Sequence, residues 1–457
     1  MSSILILNAN LVNEGAIREV DVFIKDGFID QISTDLSTLT ADQVIDARGK
    51  YLFPGVIDDQ VHFREPGLTH KATISSEARA AVAGGVTSFM EMPNTVPNAL
   101  TQALLADKYA IAERTALANY SFYMGASNDN YDEVMRTDAS KVCGVKIFMG
   151  SSTGNMLVDN PVVLSKLFAN APYLIATHCE DEATIRANVA LYKEKYGENP
   201  PARVHPEIRN VEACWKSSSM AVELARQHGT RLHILHITTG EETQLFEKGY
   251  YGYSDDERVL LRGLHPKNIT AEVCVHHLCF DAHDYETLGN QIKCNPAVKE
   301  DGHKQKLLQA LLDDRIDVIA TDHAPHTWAE KQQGYWQAPS GLPLVQHPLL
   351  LMLEFYHDGK ITLDTIARKM SHAVADCFAI EKRGYVREGY WADLVLVDLH
   401  KSNEVRKESL YYQCGWSPLE GYTFRSSVTH TIVSGHLAYD NDVFDESKKG
   451  QRLLFER

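Results

Sequence analysis

The chain has 457 residues, an apolar fraction of 44% and a formal net charge of −16, values that describe a globular protein large enough for one large domain and a smaller one. The negative charge would repel phosphate backbones and anionic lipid, which argues against nucleic-acid or membrane-surface binding, although a small anion can still bind in a locally basic pocket. There is no apolar run of the ~20 residues that cross a bilayer, no signal-peptide pattern and no CxxC pair among the eight cysteines, so we expect a cytoplasmic protein with reduced thiols.

Both ends of the chain have the pattern of short β-strands. A half sheet with open edges is hard to stabilise alone, so we predict that residues 1–53 and 384–457 build one small β-sandwich domain together. Apolar and polar residues alternate in four segments: 3–10, 20–27, 391–398 and 429–435.

Between the two ends, apolar runs alternate with segments of helical periodicity. Eight runs resemble buried parallel strands: 56–62, 86–92, 120–126, 142–149, 173–178, 231–237, 270–276 and 316–321. This alternation predicts an α/β fold, a closed (β/α)8 barrel of the TIM type over residues 54–383. Two stretches richer in Pro, Gly and charge, 195–216 and 247–268, should be excursions over a barrel face.

Five residues with functional side chains stand at or near the C-terminal ends of these runs: His62, Lys146, His178, His236 and Asp322. A barrel gathers such residues at one face although they are distant in sequence. A metal held by imidazole and carboxylate lowers the pKa of a coordinated water and so supplies hydroxide for attack on an amide. Neutral Lys146 could join the site by reacting with carbon dioxide to give an anionic, bridging carbamate. Singly, each residue is more often a packed histidine or a solvated lysine, whereas all five together indicate a metal centre.

Six short motifs follow one another along the chain: His62-Phe-Arg-Glu-Pro-Gly, Met92-Pro-Asn-Thr, Gly144-Val-Lys-Ile-Phe, Thr177-His-Cys-Glu-Asp, His233-Ile-Leu-His-Ile-Thr and Thr321-Asp-His-Ala-Pro-His. In this order they resemble the amidohydrolase superfamily and, within it, the dihydroorotases. The resemblance covers the whole chain and implies a barrel enzyme with one or two zinc ions (Zn2+), the first held by a His-x-His pair on the first strand. It places His62 and Asp322 on the first metal, carboxylated Lys146 between the two, and His178 with His236 on the second.

The His-x-His pair is incomplete, because it reads Gln60-Val-His62. A neutral amide oxygen is a poorer zinc donor than imidazole. Three interpretations follow: the first site binds metal weakly, Gln60 and water complete its shell, or the chain is a non-catalytic homologue that scaffolds aspartate transcarbamoylase. We favour an active enzyme, because the residues that the resemblance assigns to the substrate are present.

The substrate that the resemblance implies, L-dihydroorotate, carries a free carboxylate. Arg64 lies two residues past His62 on the same face of a strand and could pair with this carboxylate through two hydrogen bonds. Relatives that open hydantoins or allantoin generally lack this arginine. The alternative is a structural salt bridge from Arg64 to Glu65 or Asp58.

Further substrate contacts are implied around this arginine. In dihydroorotases, residues matching Arg64, Asn94 and His326 bind the carboxylate, and one matching Asn295 contacts the ring. The segment 338–343 resembles the loop whose main chain contacts the pyrimidine, although its glycine and prolines suit any tight turn equally well.

The activity implied is the reversible cyclisation of N-carbamoyl-L-aspartate to L-dihydroorotate in de novo pyrimidine biosynthesis. In hydrolysis, metal-bound hydroxide would attack the ring carbonyl, and Asp322 would pass the proton to the leaving nitrogen as general base and acid. A hydantoinase-like cyclic amidase is the alternative among enzymes. The resemblance also suggests a homodimer.

Two adjacent histidines, His276 and His277, follow the seventh run. Neighbouring side chains of an extended chain point to opposite faces, so we expect the pair to support the site rather than to ligate one ion. We expect a supporting role for His323, beside Asp322, as well.

Overall fold

The structure, a computed structural model, describes residues 3–150, 155–250 and 265–457, with the side chains of all of these except 250, 265 and 266. The predicted excursion at 247–268 therefore lies mostly outside the described residues. The excursion predicted at 195–216 is shorter than expected, because a helix already begins at Val211, where the Asn210 side chain accepts a hydrogen bond from the backbone N–H of Ala213.

The strands, in chain order, are β1 (Ser3–Asn13), β2 (Ala16–Lys25), β3 (Phe28–Ser33), β4 (Gln43–Asp46), β5 (Tyr51–Pro54), β6 (Val56–Val61), β7 (Val86–Glu91), β8 (Asn119–Phe122), β9 (Met124–Gly125), β10 (Val145–Phe148), β11 (Ile175–His178), β12 (Leu232–Ile234), β13 (Gly249–Tyr250), β14 (His265–Pro266), β15 (Ile269–Cys274), β16 (Val318–Ala320), β17 (Leu394–Asp398), β18 (Asn403–Glu404), β19 (Thr423–Phe424), β20 (Ser427–Val433), β21 (His436–Asp440) and β22 (Val443–Phe444).

The α-helices are α1 (Ile74–Ala83), α2 (Gln102–Thr115), α3 (Tyr131–Met135), α4 (Pro161–Asn170), α5 (Glu182–Tyr196), α6 (His205–Ile208), α7 (Val211–His228), α8 (Val275–Cys279), α9 (Tyr285–Leu288), α10 (Asp301–Leu312), α11 (Trp328–Lys331), α12 (Pro348–His357), α13 (Leu363–Ala367) and α14 (Ala373–Phe378). Short 3-10 turns cover Ala202–Val204, Glu242–Leu245, Ala282–Asp284, Gly289–Ile292 and Lys407–Ser409, and a π-helical turn covers Arg368–His372.

Each of the eight predicted runs contains a strand of a parallel barrel. One sheet has the order β6-β7-β8, and a second has the order β9-β10-β11-β12-β15-β16. β8 and β9 are separated by Tyr123 alone and join the two sheets. A parallel bridge between Val61 and His323, with the His62 N–H donating to the His323 carbonyl oxygen at 2.7 Å, closes β6 onto the end of β16. The predicted (β/α)8 barrel is therefore confirmed.

Strands from both ends of the chain form the second, β-rich unit. Its sheet has the order β22-β21-β20-β17-β5-β1-β2-β3, with β4 paired to β1. The two ends meet where β5 pairs with β17 in the antiparallel direction. Phe28 forms a bridge to Trp391, and their rings stack with centroids 4.1 Å apart, so the sheet curls back on itself. The prediction that both termini share one β-rich unit is confirmed, whereas the domain boundaries stay a prediction.

The curled sheet encloses an apolar core of its own. Residues from the first strands, such as Ile6 and Leu52, pack there with Leu394 and Ile432 from the last ones. Because apolar residues from both ends fill one core, neither end can bury its apolar face alone.

Among the helices of the described segments, none combines the length and the apolar composition required to cross a bilayer.

Candidate metal centre

The five residues predicted to form a metal centre are gathered at the C-terminal end of the barrel. With other predicted residues they line one cavity of about 320 Å³. Its lining comprises Gln60, His62, Arg64, Asn94, Lys146, Phe148, His178, His236, Asn295, Asp322, Ala324, His326, Pro339, Ser340 and Gly341. The structure thus brings together every residue that the sequence assigned to metal, substrate or proton transfer. The roles of these residues remain predictions.

Three of these residues have left-handed backbone conformations at the ends of their strands. The φ angles are +68° at Arg64, +39° at His236 and +46° at Asp322. Residues other than glycine adopt such angles at a cost of about 1–3 kcal/mol each, and residues in these conformations are concentrated at functional sites. Each angle turns the chain sharply at a place where a functional side chain enters the cavity.

The first group of candidate ligands consists of His62 and Asp322. His62 Nδ1 donates a hydrogen bond to Asn94 Oδ1 at 2.8 Å, which leaves a lone pair on Nε2 of the neutral ring. This Nε2 lies 3.0 Å from Asp322 Oδ1. Gln60 Nε2 donates to the same Oδ1 at 3.1 Å. Asp322 Oδ2 has no hydrogen-bond partner among the described residues, so it is available to a ligand or a proton.

The second group consists of His178 and His236. His178 Nε2 donates to Glu180 Oε2 at 2.9 Å, which fixes the tautomer and leaves a lone pair on Nδ1. This Nδ1 lies 2.9 Å from His236 Nε2. No role was predicted for Glu180, although it belongs to the motif Thr177-His-Cys-Glu-Asp; its spacing of two from a candidate ligand was the available signal.

Lys146, on β10, lines the same cavity. The side chain is buried, and Nζ lies 4.5 Å from the centre of the Phe148 ring. The described residues offer this amine no hydrogen bond and no salt bridge. Burial lowers its pKa to about 7, against the opposing attraction of Asp322, so a large share of the amine is neutral at physiological pH.

Burial also keeps the histidines of the centre neutral. It lowers the pKa of His62 and of His178, in each case against a neighbouring carboxylate, and it lowers the pKa of His236 far below the usual range, with help from His178. Burial opposes the charge of Glu180, but Arg209 and the hydrogen bond from His178 outweigh it and lower the pKa of this carboxyl to about 2. Neutral imidazoles with a charged carboxylate behind them are the form in which histidine binds metal.

The donor set fits a zinc ion at the second group. Two ring nitrogens that hold one zinc ion at about 2.0–2.1 Å in a tetrahedral shell lie roughly 3.3 Å apart, and Nδ1 of His178 and Nε2 of His236 lie 2.9 Å apart. His236 Nδ1 is buried without a hydrogen-bond partner, so no polar group competes for the orientation of its ring. A neutral Lys146 that has formed a carbamate would add an anionic oxygen donor.

Arg64 and His326 form a polar wall of the same cavity. Arg64 Nε donates to the Pro325 carbonyl oxygen at 3.0 Å, and Nη2 lies 3.1 Å from His326 Nε2. The predicted alternative, a salt bridge to Glu65 or Asp58, does not occur. Arg64 Nη1 has no partner among the described residues and is free to bind a ligand. Burial lowers the pKa of this guanidinium to about 10, so it stays charged at neutral pH.

A loop of the predicted substrate-contacting segment forms the rim of the cavity. Pro339, Ser340 and Gly341 line it. Two buried lysines, Lys293 and Lys331, donate hydrogen bonds to carbonyl oxygens of this segment. Lys293 Nζ donates to the carbonyl oxygens of Tyr335 and Ala338, each at 2.6 Å. No role was predicted for either lysine, because nothing in the sequence shows that a lysine is buried against loop carbonyls.

Asn295 also reaches the cavity, as predicted from the motif around it. Its Oδ1 is buried and has no hydrogen-bond partner in the described part of the protein. A buried amide oxygen without a partner is costly, so this atom is suited to a donor supplied by a ligand.

The histidines after the seventh strand are arranged differently from the prediction. His276 and His277 lie in α8 and not in an extended segment, and their ring centroids are 4.0 Å apart. The expectation that they point to opposite faces was therefore wrong. They and Cys274 present potential ligand atoms within 4.8 Å of one another. His277 Nε2 donates to the Pro296 carbonyl oxygen at 3.1 Å, next to Asn295.

Two other histidines have carboxylate partners. His323 Nε2 lies 2.7 Å from Glu77 Oε2, and Nδ1 accepts from the backbone N–H of Leu344 at 2.9 Å, which is the supporting arrangement expected for it. Inside the barrel, His233 Nε2 lies 3.1 Å from Asp59 Oδ2. These two with Glu272 form a second buried group of potential ligand atoms.

Comparisons with known proteins agree with this geometry. Residues 51–438 match the sequence profile described as the amidohydrolase family. The chain belongs to this family. It is therefore an enzyme of the cyclic amide hydrolase class, which acts on a small molecule.

The relatives of this amidohydrolase-family chain differ in the substrates for which they are named. It is 31% identical to a dihydroorotase of Halobacterium salinarum over 433 residues, which cover 94% of this chain and 95% of the relative. It is also 31% identical to an allantoinase of Solibacter usitatus over an alignment of 463 positions, which covers 99% of this chain and 97% of the relative. Among solved structures, the L-hydantoinase (dihydropyrimidinase) of Arthrobacter aurescens has a similar fold, with a TM-score of 0.89 at 24% identity over 97% of this chain and 98% of that one.

Proposed function

We propose that this chain is a dihydroorotase, which catalyses the reversible cyclisation of N-carbamoyl-L-aspartate to L-dihydroorotate in de novo pyrimidine biosynthesis. The observation that carries this proposal is Arg64, a buried guanidinium at the wall of the cavity whose Nη1 has no partner among the described residues. A fixed cation at this place favours a substrate with a carboxylate over a neutral cyclic amide.

The other substrate contacts follow from the same wall. Asn94 and His326 line the same cavity as Arg64 and would complete the proposed carboxylate pocket. Burial and the charge of Arg64 lower the pKa of His326 far below its usual range, so it can bind an anion only as a neutral hydrogen-bonding group. Asn295 Oδ1 would accept from a ring N–H, and the rim at Pro339–Gly341 would present main-chain atoms to the ring.

A zinc ion in this centre would act as a Lewis acid and lower the pKa of water to supply the nucleophile. Lys146 (as its carbamate), His178 and His236 would hold it. Asp322 would act as the general base and then the general acid, since Oδ2 has no partner among the described residues while Oδ1 accepts a hydrogen bond from Gln60. In hydrolysis, this oxygen takes the proton of the nucleophile and delivers it to the leaving ring nitrogen.

The test is an assay of the purified protein with and without added zinc. Hydrolysis of L-dihydroorotate and its formation from N-carbamoyl-L-aspartate are followed by ultraviolet absorbance, beside hydantoin and allantoin as neutral controls. We expect turnover of the carboxylate-bearing substrate in both directions. Preferred turnover of a neutral substrate would replace the proposal with a hydantoinase-like or allantoinase-like activity.

A second outcome addresses the non-catalytic alternative. Absence of turnover for all substrates, together with binding to aspartate transcarbamoylase in size-exclusion chromatography, would indicate a scaffold rather than an enzyme. The same chromatography, with light scattering, tests the homodimer that we propose. Cell fractionation tests the cytoplasmic location.

A further inference from the structure

The one position where the centre departs from the His-x-His pattern is Gln60. The side chain is buried, at 2% exposure. Gln60 Nε2 donates to Asp322 Oδ1 at 3.1 Å, whereas Gln60 Oε1 lies 3.9 Å from the sulfur of Cys274, whose thiol has a nearer acceptor in Glu272 Oε1 at 3.3 Å. The hydrogen bond to the Asp322 carboxylate is thus the contact that holds the amide.

The contact with Asp322 determines which way the amide points. Rotation of the amide by 180° would place its oxygen beside Asp322 Oδ1, where two acceptors repel each other, and its NH2 group beside Cys274. The rotated amide would lose the hydrogen bond from Gln60 Nε2 to Asp322 Oδ1 and gain a repulsion between the two oxygens. Gln60 therefore presents N–H groups to the first group of candidate ligands, and an N–H group cannot bind a cation.

The two groups of candidate ligands are consequently unequal. The first group offers His62 Nε2 and Asp322 Oδ1, and this oxygen already accepts from Gln60. The second group offers Nδ1 of His178 and Nε2 of His236, whose ring nitrogens converge at 2.9 Å with Glu180 fixing the tautomer of His178. Only the second group brings ring nitrogens of two imidazoles together, an arrangement that suits a zinc site.

We propose that the centre holds one metal ion, at Lys146, His178 and His236, and that Gln60 stands in for a second ion by holding Asp322 in position. The amide N–H provides the positive partner that a metal would otherwise provide to Oδ1, so Oδ2 stays directed for proton transfer. Gln60 is thus a positioning residue. The inference rests on the metal dependence of the proposed function and goes beyond it in metal number and in the role of Gln60.

Metal analysis by mass spectrometry tests the number. The full-length protein is stripped with chelator, reloaded with excess zinc in bicarbonate buffer and dialysed against metal-free buffer. We expect one zinc per chain in the wild type. Two zinc ions per chain, or none, would overturn the proposal. Reloading with cobalt gives a second measure, because a single cobalt ion shows no magnetic coupling in electron paramagnetic resonance, whereas a bridged pair does.

The variant Gln60→His tests whether this residue sets the number. Restoring the imidazole should raise the count to two per chain and produce coupled cobalt spectra. Gln31→His, on the exposed surface of the terminal sheet, is the matched control and should leave the count at one. A correctly folded Gln60→His protein that still binds one metal would show that Gln60 does not exclude the second ion.

The variant Gln60→Ala tests the positioning role. The count should stay at one, while kcat falls by roughly 10- to 100-fold with little change in KM, because Asp322 loses its fixed orientation. An unchanged kcat would remove this role. The metal counts are independent of the substrate, so a failure of the proposed dihydroorotase activity and a failure of the one-metal proposal give different results.

Discussion

Lys331 Nζ donates a hydrogen bond to the carbonyl oxygen of Gly341 at 2.8 Å, from a position behind the rim of the cavity. The same ammonium donates to Pro339 at 2.9 Å and to the carbonyl of Lys293 at 3.2 Å. Three carbonyl oxygens that converge on one buried ammonium fix the shape of the loop before any ligand binds. The rim is therefore preorganised, and we expect its lysines to favour binding without contacting the substrate.

The variant Lys331→Met should release this loop. We expect KM for L-dihydroorotate to rise about tenfold with kcat nearly unchanged, since an ordering cost of about 1.4 kcal/mol would then fall on binding. Steady-state kinetics provide the measurement. Lys360→Met, at an exposed lysine, is the control and should change neither constant. An unchanged KM in Lys331→Met would show that the loop keeps its shape without the ammonium.

Arg64 should determine the preference for a carboxylate. In Arg64→Met, kcat/KM for L-dihydroorotate should fall by about 30- to 1000-fold, equivalent to the 2–4 kcal/mol typical of a lost buried charged contact. Arg64→Lys should recover only part of this loss, because an ammonium lacks the planar fork. Turnover of a neutral cyclic amide, measured in parallel, should fall much less. Equal losses of kcat/KM for both substrates would show that Arg64 has a structural role rather than a role in substrate preference.

Asp322 should be needed for turnover and not for binding. Asp322→Asn keeps the size of the side chain but removes the proton acceptor, so kcat should fall by at least about 100-fold while substrate binding persists. Calorimetric titration with substrate measures the binding, and circular dichroism checks the fold. Near-normal turnover in this variant would show that a group other than Asp322 transfers the proton.

Much of this centre could be predicted from the sequence, because the barrel fixes where strand ends lie. His178 and Asp322 each follow an apolar run, and parallel strands bring such positions to one face whatever their distance in sequence. Hydrogen-bond directions could not be predicted in this way. That Gln60 donates to Asp322 depends on how its amide is oriented, and that Lys331 is buried depends on the path of a loop, neither of which periodicity describes.

The secondary structure around His276 shows a second limit. The predicted run covers 270–276, whereas β15 ends at Cys274 and α8 begins directly after it, which the sequence alone did not show. A change from strand to helix turns neighbouring side chains from opposite faces to adjacent ones. The predicted geometry of this pair was therefore wrong, although the strand before it was placed correctly.

A buried ion pair outside the cavity should contribute strongly to stability. Lys108 Nζ lies 2.8 Å from Glu91 Oε2, and both side chains are at most 1% exposed. Lys108→Met would leave the Glu91 charge buried without a partner, at a cost of about 3–5 kcal/mol in the free energy of unfolding. Lys141→Met, which removes the exposed pair with Asp138, should cost less than about 1 kcal/mol. Urea unfolding compares the two, and similar losses would contradict the prediction.

The protein should lose stability in mild acid through His372. Its Nε2 donates to Asn13 Oδ1 at 3.0 Å, and burial lowers the pKa of the imidazole to about 3. The unfolded chain, with a histidine pKa of about 6.5, binds a proton that the folded protein excludes. The contribution is therefore complete above about pH 6.5 and is lost as the pH falls toward about 3, by about 1.4 kcal/mol per pH unit.

The variant His372→Gln, which can still donate to Asn13, isolates this effect. Between pH 7.5 and pH 5, its free energy of unfolding should fall by about 2 kcal/mol less than that of the wild type. Urea unfolding at both pH values provides the measurement. His347, whose pKa is also lowered to about 3 by burial, remains in both proteins and cancels in the comparison. Identical pH dependence would exclude His372 as a source of acid sensitivity.

The pairing of β5 with β17 imposes an order on biosynthesis. During translation, the first five strands emerge long before their C-terminal partners, with the whole barrel still to be made. They must remain with an uncovered apolar face and an open strand edge until that partner leaves the ribosome. A nascent chain of this protein is thus exposed to aggregation at these five strands until β17 has been synthesised.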